Sequence, residues 1–328
     1  MVLQRGDESS SGRAETSSAL ANFMSELADL RRPVSASKLV QFSDLGPRAI
    51  GTFGEGWVEI PETRRLDLVL KLIDLTEDNV ALNFAEVFKH LLTDGDYQIR
   101  AKAIAGLWEF QERSLIDPLV RLLMDDPEEA VRAAAAQALG RFIMLAETGK
   151  LSARDEERVA TTLFDIVEGG EEAVEVRRRA FESLAPLSDE RVPDLIREAY
   201  ESDLPGMRAS AVYAMGLTCD SDWLPLLLEE ADSDDPEMRY EAAVALGEVG
   251  EEETAHRLGQ LMHDEDAMVQ AAAITALGNI GGPAAKRILN MALESEDAHI
   301  VELADAALKA AEVDDEPLQY HGFERTGP

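Results

Sequence analysis

Histidine is the residue type in this chain of 328 residues that most invites a search for chemistry. His256 and His263 lie seven residues apart, about two turns of a helix, and Asp264 follows the second of them. A zinc site needs three or four converging ligands, and this spacing supplies two. We therefore interpret the pair as surface histidines and expect neither a metal site nor a bound cofactor.

Two other chemical motifs are equally incomplete. Residues 51–56 read Gly-Thr-Phe-Gly-Glu-Gly, but no predicted strand precedes them and no Lys-Ser/Thr follows, which disfavours a phosphate-binding loop. Cys219 is the single cysteine, and no histidine nearby in sequence marks it as a nucleophile. Cys219 is instead expected to pack at a turn between helices, and no catalytic residue is predicted.

The elements that would have to position any site are indicated by a short sequence that is written twice. The first copy runs from Asp235 to Gly250 and the second from Asp266 to Gly281, with an offset of 31 residues at every matched position. A period of this size indicates a solenoid, in which each unit buries its apolar face against its neighbours.

The spacing inside one copy predicts a helix. Asp235 can cap it, while Gly247 and Gly250 are predicted to mark its end. The apolar residues recur at three- and four-residue intervals on one face: Met238, Ala242, Ala245, Leu246 and Val249. A second apolar stripe at 255–262 leads to the next acidic turn, so each unit is predicted to be a helical hairpin.

The same register extends in both directions from Arg239. The equivalent positions, each seven residues before a leucine or methionine, are Arg100, Arg132, Arg177, Arg208, Arg239, Gln270 and Val301. A long step between Arg132 and Arg177 is attributed to an extended helix and a loop around Phe142–Glu157. Seven hairpins are predicted between about 79 and 312, and a helix over Arg64–Leu75 is predicted to cap their start.

These residues resemble a known repeat. Arg-x-x-Ala-x-x-Ala-Leu-Gly-x-Val-Gly, followed by a second apolar stripe and an acidic turn, is similar to the HEAT-like repeat named after the phycobilisome lyases, and 239–269 fits it best. The segment before the repeats, including Ser43-Asp44-Leu45 and Ile60-Pro61-Glu62, resembles bacterial HEAT-repeat proteins of unassigned role. The resemblance implies an all-α fold, an α-solenoid superhelix. It implies little about activity, since such repeats serve scaffolds, adaptors and a few enzymes.

Two enzymatic roles found among HEAT-type proteins are disfavoured. HEAT-type hydroxylases that bind two irons carry His-Glu dipeptides in their repeats, and this sequence contains none. HEAT-type DNA glycosylases use a basic inner groove, whereas this chain has a formal net charge of −34. We therefore expect neither activity and no nucleic-acid partner.

Charge and composition also indicate the setting. From Asp220 onward there are 26 acidic and 6 basic residues, a field that repels phosphates and favours basic partners. Solubility, in a salty cytoplasm for example, is the favoured explanation of the acidity. The lone cysteine, the absence of an apolar leader and the lack of a membrane-length apolar run predict a cytoplasmic location.

Four segments are predicted: a disordered tail at 1–18, a helical segment with a glycine-rich loop at 19–62, the repeats at 63–313 and a second tail at 314–328. Ser35–Phe42 is predicted to be a short helix. In the loop at 46–61, Phe53 and Trp57 are expected to pin irregular backbone or to contact a partner. An amphipathic helix is predicted from Leu20, Phe23, Met24, Leu27 and Leu30.

The repeated arginines are predicted to be structural. At this position they are expected to hold acidic turns, such as those at Asp126, Asp203 and Asp235, by charge-assisted hydrogen bonds. Their loss should therefore lower stability before it alters binding.

Partner binding is assigned to the second helix of each hairpin, which lines the concave side in this architecture. Positions one, two and five after each arginine are predicted to form a groove with a small-residue floor. The residues expected to contact a polypeptide there are Lys102, Gln137, Arg178, Arg179, Tyr213, Tyr240, Val244 and Thr275. Arg178 and Arg179 are expected to pair with an acidic group of the partner, although the alanines alone are equally consistent with close helix packing.

Three functions remain open at this point. A non-enzymatic scaffold that binds a polypeptide along the groove is favoured. A lyase-like protein holding a bilin chromophore near Tyr213 and Tyr240 is the first alternative, and an acidic assembly chaperone is the second. The identity of the partner and the oligomeric state stay undetermined by the sequence.

Overall fold

The chain folds into helices throughout the part that the structure describes. A computed structural model describes residues 8–250 and 252–315, and every regular element in these ranges is an α-helix or a short 3₁₀ turn. The all-α prediction is therefore confirmed. Contacts divide the chain into two compact units, one ending at Ser183 and the other beginning at Leu184.

The first unit contains ten helices in the described residues, the last of which ends one residue past the unit boundary. They are α1 Glu8–Ala28, α2 Ala36–Leu39, α3 Pro47–Trp57, α4 Glu62–Asp78, α5 Ala85–Leu91, α6 Tyr97–Gly106, α7 Ile116–Asp125, α8 Glu129–Glu147, α9 Ala153–Gly169 and α10 Val174–Leu184. The long α8 and the loop before α9 account for the long step in the repeat, as predicted.

The second unit contains eight helices in the described residues. They are α11 Val192–Tyr200, α12 Pro205–Leu217, α13 Leu224–Glu230, α14 Pro236–Val249, α15 Ala255–Leu261, α16 Ala267–Ile280, α17 Gly282–Ala292 and α18 Ala298–Asp315. From α5 to α18 the helices follow one another as seven successive pairs, which confirms the predicted number of hairpins.

The second helices of successive pairs contact each other within each unit. In the first unit α4 packs on α6 and α6 on α8, and in the second unit α12, α14, α16 and α18 follow one another in the same way. Helix α4 precedes the first predicted hairpin and packs on its second helix, as the predicted capping helix should. The segment before the repeats continues both rows, because α1 contacts α3, α3 contacts α5, and α2 contacts α4.

The predicted glycine-rich loop is wrong, because its central residues form helix α3. Phe53 and Trp57, four residues apart, place two aromatic rings on one face of this helix. Gly54 and Gly56 serve close packing: a Cβ at Gly54 would meet the His90 ring at 2.7 Å, and one at Gly56 would meet Met24 at 2.6 Å. The glycines therefore allow helices to approach one another instead of supplying a flexible loop.

Helix α3 also shows why the partner contact expected at its aromatic residues is wrong. Phe53 is fully buried and Trp57 nearly so. Phe53 stacks on Trp57 with 5.3 Å between ring centroids and meets Phe42 edge-on at 5.2 Å. The indole nitrogen of Trp57 donates a hydrogen bond of 2.7 Å to Asp94. These residues form a core that joins the first helices to α5.

The chain ends differ in part from the predicted boundaries. Helix α1 begins at Glu8, so helical backbone occupies residues 8–18 of the predicted tail. Leu20, Phe23, Met24 and Leu27 are buried as their spacing predicts, whereas Leu30 lies past the helix end and is exposed. Helix α18 continues to Asp315, and residues 1–7 and 316–328 lie outside the described residues.

Helix α14 runs through Gly247, so the prediction that this glycine ends the helix is wrong. A Cβ at Gly247 would lie 2.8 Å from the Cα of Ala276, and Gly216 faces Ala245 and Gly278 faces Ala307 with similar closeness. Glycine at this position therefore sets the distance between successive second helices. Gly250, with φ at +76°, is the residue that ends α14.

Candidate binding grooves

Two of the repeated arginines connect one hairpin to the next through the same arrangement. Arg100 donates to both carboxylate oxygens of Asp126, at 2.7 and 2.8 Å, and Arg239 does so to Asp264 at 2.8 Å each. In both pairs the side chains are almost fully buried. Each arginine also donates to backbone carbonyls of its own turn, as Arg239 does to Ser233. The acidic partner thus belongs to the following hairpin.

These contacts change the ionisation of the carboxyl groups. The hydrogen bonds from Arg239 lower the pKa of Asp264 below its ordinary value of 3.8. The pKa of Asp126 is also lowered, because hydrogen bonds from Arg100 and from a backbone amide outweigh the opposing effect of burial. Both carboxylates therefore stay charged at neutral pH and tie the turns together.

The other repeated arginines make different contacts. Arg132 makes a bidentate contact with Glu172 at 2.8 and 3.0 Å, and Arg208 lies 3.5 Å from buried Glu230. Nε of Arg177 is buried and makes no hydrogen bond with the described residues.

Two acidic residues expected at the turns play other parts. Asp235 caps its own helix by accepting from the amide of Glu237 at 3.0 Å, as its position predicts. Asp203 is exposed, and Arg208 pairs with Glu230 instead. These contacts use the arginines within the protein, away from the grooves described next.

The second unit contains a shallow groove between α14 and α16 with a volume of about 240 Å³, which we call the C groove. Three predicted partner residues come together there: Tyr240, Val244 and Thr275. The other lining residues are Glu248, Met268, Ala271, Ala272, Ala276 and Asn279. Met268 is 64% exposed, so a large flexible apolar side chain stands at its rim. Small residues on α16 form the floor.

The first unit contains a comparable groove between α6 and α8 with a volume of about 290 Å³, which we call the N groove. Gln137 is the predicted partner residue that lines it. The other lining residues are Ile104, Ala105, Trp108, Ala134, Ala138 and Arg141. Trp108 is 60% exposed, and Arg141 supplies a positive charge.

The two grooves occupy equivalent positions of the repeat. Counted from the repeated arginine position, Gln137 corresponds to Thr275, Arg141 to Asn279, and Trp108 to Gly247. The same pair of helix faces therefore forms a groove in each unit. The side chains that line it differ in size and in charge.

The environment of Arg141 is unusual for an arginine. One terminal nitrogen, Nη1, donates to the carbonyl oxygen of Leu107 at the end of α6, and the guanidinium lies 5.4 Å from the centre of the Phe142 ring. Its Nε and Nη2 are buried and make no hydrogen bond with the described residues. Burial lowers the pKa of Arg141 to about 10, so the group is still protonated at neutral pH.

The remaining predicted partner residues lie outside the two grooves. Lys102 is exposed on α6, one turn before Ala105 of the N groove. Arg178 and Arg179 both form ion pairs with Glu175 and Glu182 on their own helix, so their charges are matched within α10. Tyr213 is half-buried on α12.

Several groove residues were not predicted from the sequence, chiefly Trp108, Arg141, Glu248, Met268 and Asn279. Arg141 and Asn279 share a register position, nine residues after the repeat arginine, which the predicted set did not include. A signal was present in the alternation of one face at intervals of four residues, from Tyr240 through Val244 to Glu248. Extending the predicted face by one helical turn would have included Glu248.

The histidines and the cysteine bring no further site together. His256 and His263 are both exposed, and no group of three or more potential metal ligands converges in the ranges that the structure describes. Cys219 lies at the turn after α12, with a φ of +51°. Its side chain is exposed, so the predicted packing at the turn is wrong even though the position is right.

The fold and grooves define a helical-repeat protein that stacks hairpins through arginine–carboxylate pairs. Comparison with protein families makes the assignment specific: HEAT repeats match residues 84–174 and 224–309, more than half of the chain. The protein belongs to the HEAT-repeat family, as the resemblance in the sequence implies. A comparison with curated proteins gave no significant match.

Several solved structures are similar to this chain at low sequence identity. The complex of CpcE and CpcF, a phycocyanin lyase from Nostoc sp. PCC7120, is 17% identical with a TM-score of 0.53, covering 85% of this chain and 97% of that one. YibA of Escherichia coli is 17% identical with a TM-score of 0.42, covering 73% and 96%. Yeast importin-β, Kap95p, is 12% identical with a TM-score of 0.47, covering 89% and 46%. The likeness to the lyase extends to the fold and confirms the predicted kind of repeat.

One further property concerns the membrane. Among the helices in the described residues, none combines the length and the apolar character that crossing a bilayer requires.

Proposed function

We propose that this protein is a non-enzymatic interaction scaffold that binds polypeptide segments in the grooves between its second helices. The observation that carries the proposal is the C groove, where Tyr240, Val244 and Thr275 meet around a floor of alanines. Tyrosine and methionine at a rim supply large contact area, and small residues below them allow a backbone to approach closely.

Binding is favoured over catalysis by what the grooves contain. Their linings combine apolar side chains, alanines, one threonine and single amides, with one charged residue in each groove. The hydroxyl of Thr275 donates to the carbonyl of Ala271 at 2.9 Å, and no histidine lines the C groove to act as its base. Such surfaces suit the recognition of side chains and backbone along an extended segment or a helix.

HEAT repeats commonly present a continuous face to a partner, which supports the same proposal. The lyase-like alternative rests on a shared fold at 17% identity, and a fold of this kind hosts many functions. We therefore place the polypeptide scaffold first and use the lyase-like role as an outcome of the test.

The test selects peptides from a random display library on the immobilised full-length chain. The second helix offers Met268 and the first helix of the next pair offers Met291, which are 64% and 73% exposed. We expect the double variant Tyr240→Ala, Met268→Ala to bind the selected peptides about tenfold more weakly than the wild type, because both truncations remove contacts at the groove. Met291→Ala should leave their binding unchanged.

Three results would contradict the proposal. If Met291→Ala binds the peptides as weakly as the groove variant does, the binding surface does not lie between the second helices. Failure to enrich any peptide, together with a red shift of an added open-chain tetrapyrrole that the groove variant abolishes, would favour the lyase-like role. Enrichment of peptides by positive charge alone, reversed by salt and insensitive to both variants, would favour the acidic chaperone.

A further inference from the structure

Arg141 carries a charge that the described residues of the first unit leave unmatched. The backbone carbonyl of Leu107 is its only hydrogen-bond acceptor in the described residues, and desolvation is the only cause of its lowered pKa, with no carboxylate contributing. An arginine held away from water without a counter-ion costs free energy. A ligand that brings a carboxylate would remove part of this cost.

The rest of the N groove is uncharged and suits a peptide. Trp108 presents an exposed indole for apolar contact, and the alanines at 105, 134 and 138 leave room for a backbone. Gln137 is exposed and lies one turn before Arg141 on α8, so a charge introduced at position 137 would act directly on the groove. The sole lining charge is positive.

We propose that the N groove binds an acidic peptide segment, with an Asp or Glu side chain paired to Arg141 and a neighbouring apolar residue packed on Trp108. Charge complementarity selects this occupant, because Arg141 is the one charged residue that lines the N groove. The proposal rests on the scaffold function and adds the chemical class of the segment that this groove takes.

The geometry sets a condition on binding. Nε and Nη2 of Arg141 are covered by protein atoms in the free chain, so the guanidinium must rotate about its terminal side-chain bonds to meet a carboxylate. Attraction at a distance needs no such rotation, because a poorly solvated cation acts over several ångströms. The net charge of −34 opposes an acidic ligand over longer distances, and added salt should weaken that repulsion.

The most direct test changes the charge of a residue that lines the N groove. Gln137→Glu places a carboxylate four residues before Arg141, the favourable order for an ion pair on a helix, and so neutralises the groove without disturbing a buried residue. Gln137→Lys changes the same exposed site and keeps the groove positive. Thr275→Glu is the matched control at the equivalent exposed position of the C groove.

The experiment selects peptides from the random display library on the full-length wild type and on these three variants. We expect one class of selected peptides to be enriched in Asp and Glu above the input library, to be retained by Gln137→Lys and Thr275→Glu, and to be lost on Gln137→Glu. Replacing the acidic residue of such a peptide by its amide should weaken binding about tenfold, measured by the fluorescence anisotropy of the labelled peptide.

The outcomes separate this proposal from the scaffold function. Selected peptides without enrichment in Asp and Glu, or acidic peptides that Gln137→Glu retains, would overturn the acidic specificity and leave the scaffold standing. Loss of acidic peptides on Thr275→Glu to the same extent would also overturn it, because the effect would then be one of overall charge. Failure of the wild type to select any peptide would overturn both.

Discussion

The N groove and the C groove use the same positions of the same repeat and present opposite charges. In the N groove Arg141 is the lining charge, and in the C groove it is Glu248. Each groove lies between second helices of adjacent hairpins, and in each unit a buried arginine–aspartate pair joins successive hairpins. A common frame therefore supports two surfaces that should select different ligands.

The two grooves also differ in the length of one bordering helix. Helix α6 ends at Gly106, whereas α14 continues to Val249. The carbonyl of Leu246 therefore accepts from the amide of Gly250 at the helix end, while that of Leu107 also accepts from Arg141. Trp108 lies beyond the end of α6 and is exposed, whereas the equivalent Gly247 is inside α14. A shortened helix thus converts a packing position into a surface position.

The largest expected effect tests the common frame. Arg239→Ala and Arg100→Ala should each lower the free energy of unfolding by about 3 kcal/mol, since each leaves a buried aspartate without its partner. Urea denaturation measures both values. Peptide binding should persist wherever the variants remain folded, and a stable Arg239→Ala chain that fails to bind would show that the arginine belongs to the binding surface.

The pH dependence supplies the control for this prediction. The pKa of Asp264 in the folded protein lies below 3.8, so its stabilisation is present above that value and is lost as pH falls through the folded-state pKa. Asp264→Asn should therefore lose less stability than the wild type on acidification from pH 4 downward. Parallel pH curves for the two proteins would argue against a stabilising pair.

The second prediction contrasts Gly247 with Trp108, which occupy one repeat position in the two units. Gly247→Ala should destabilise by about 2 kcal/mol, because the new Cβ would press on the backbone of Ala276. Trp108→Ala should change stability by less than about 0.5 kcal/mol, because the indole is largely exposed. Equal losses in denaturation would mean that the position is used alike in both units.

The third prediction reverses the charge contrast. Glu248→Arg gives the C groove a cation, and the substitution is tolerated because Glu248 is exposed. The C groove of this variant should then bind the acidic peptides selected on the N groove. Its affinity for them should be at least about tenfold higher than that of the wild-type C groove. Isothermal titration calorimetry would report a stoichiometry of two. A stoichiometry of one would show that charge alone does not distinguish the grooves.

The repeated elements were predictable because each is specified by residues close in sequence. The apolar stripe of α14, its cap at Asp235 and the count of seven hairpins follow from spacing alone. Part of the C groove was predictable for the same reason, since Tyr240, Val244 and Thr275 follow from the helix register. Helix α3 was not predictable, because glycines as closely spaced as Gly54 and Gly56 occur both in loops and where two helices pack closely.

The sequence by itself determined the repeat, the pairing of helices and the family, because periodic burial and helix capping act over a few residues. Only the tertiary structure decided which side chains meet across neighbouring helices. It brought Arg141 to the carbonyl of Leu107, 34 residues earlier, and set Trp108 and Gln137 around one groove. The set of side chains that line each groove depends on where a helix ends and how closely its neighbour packs.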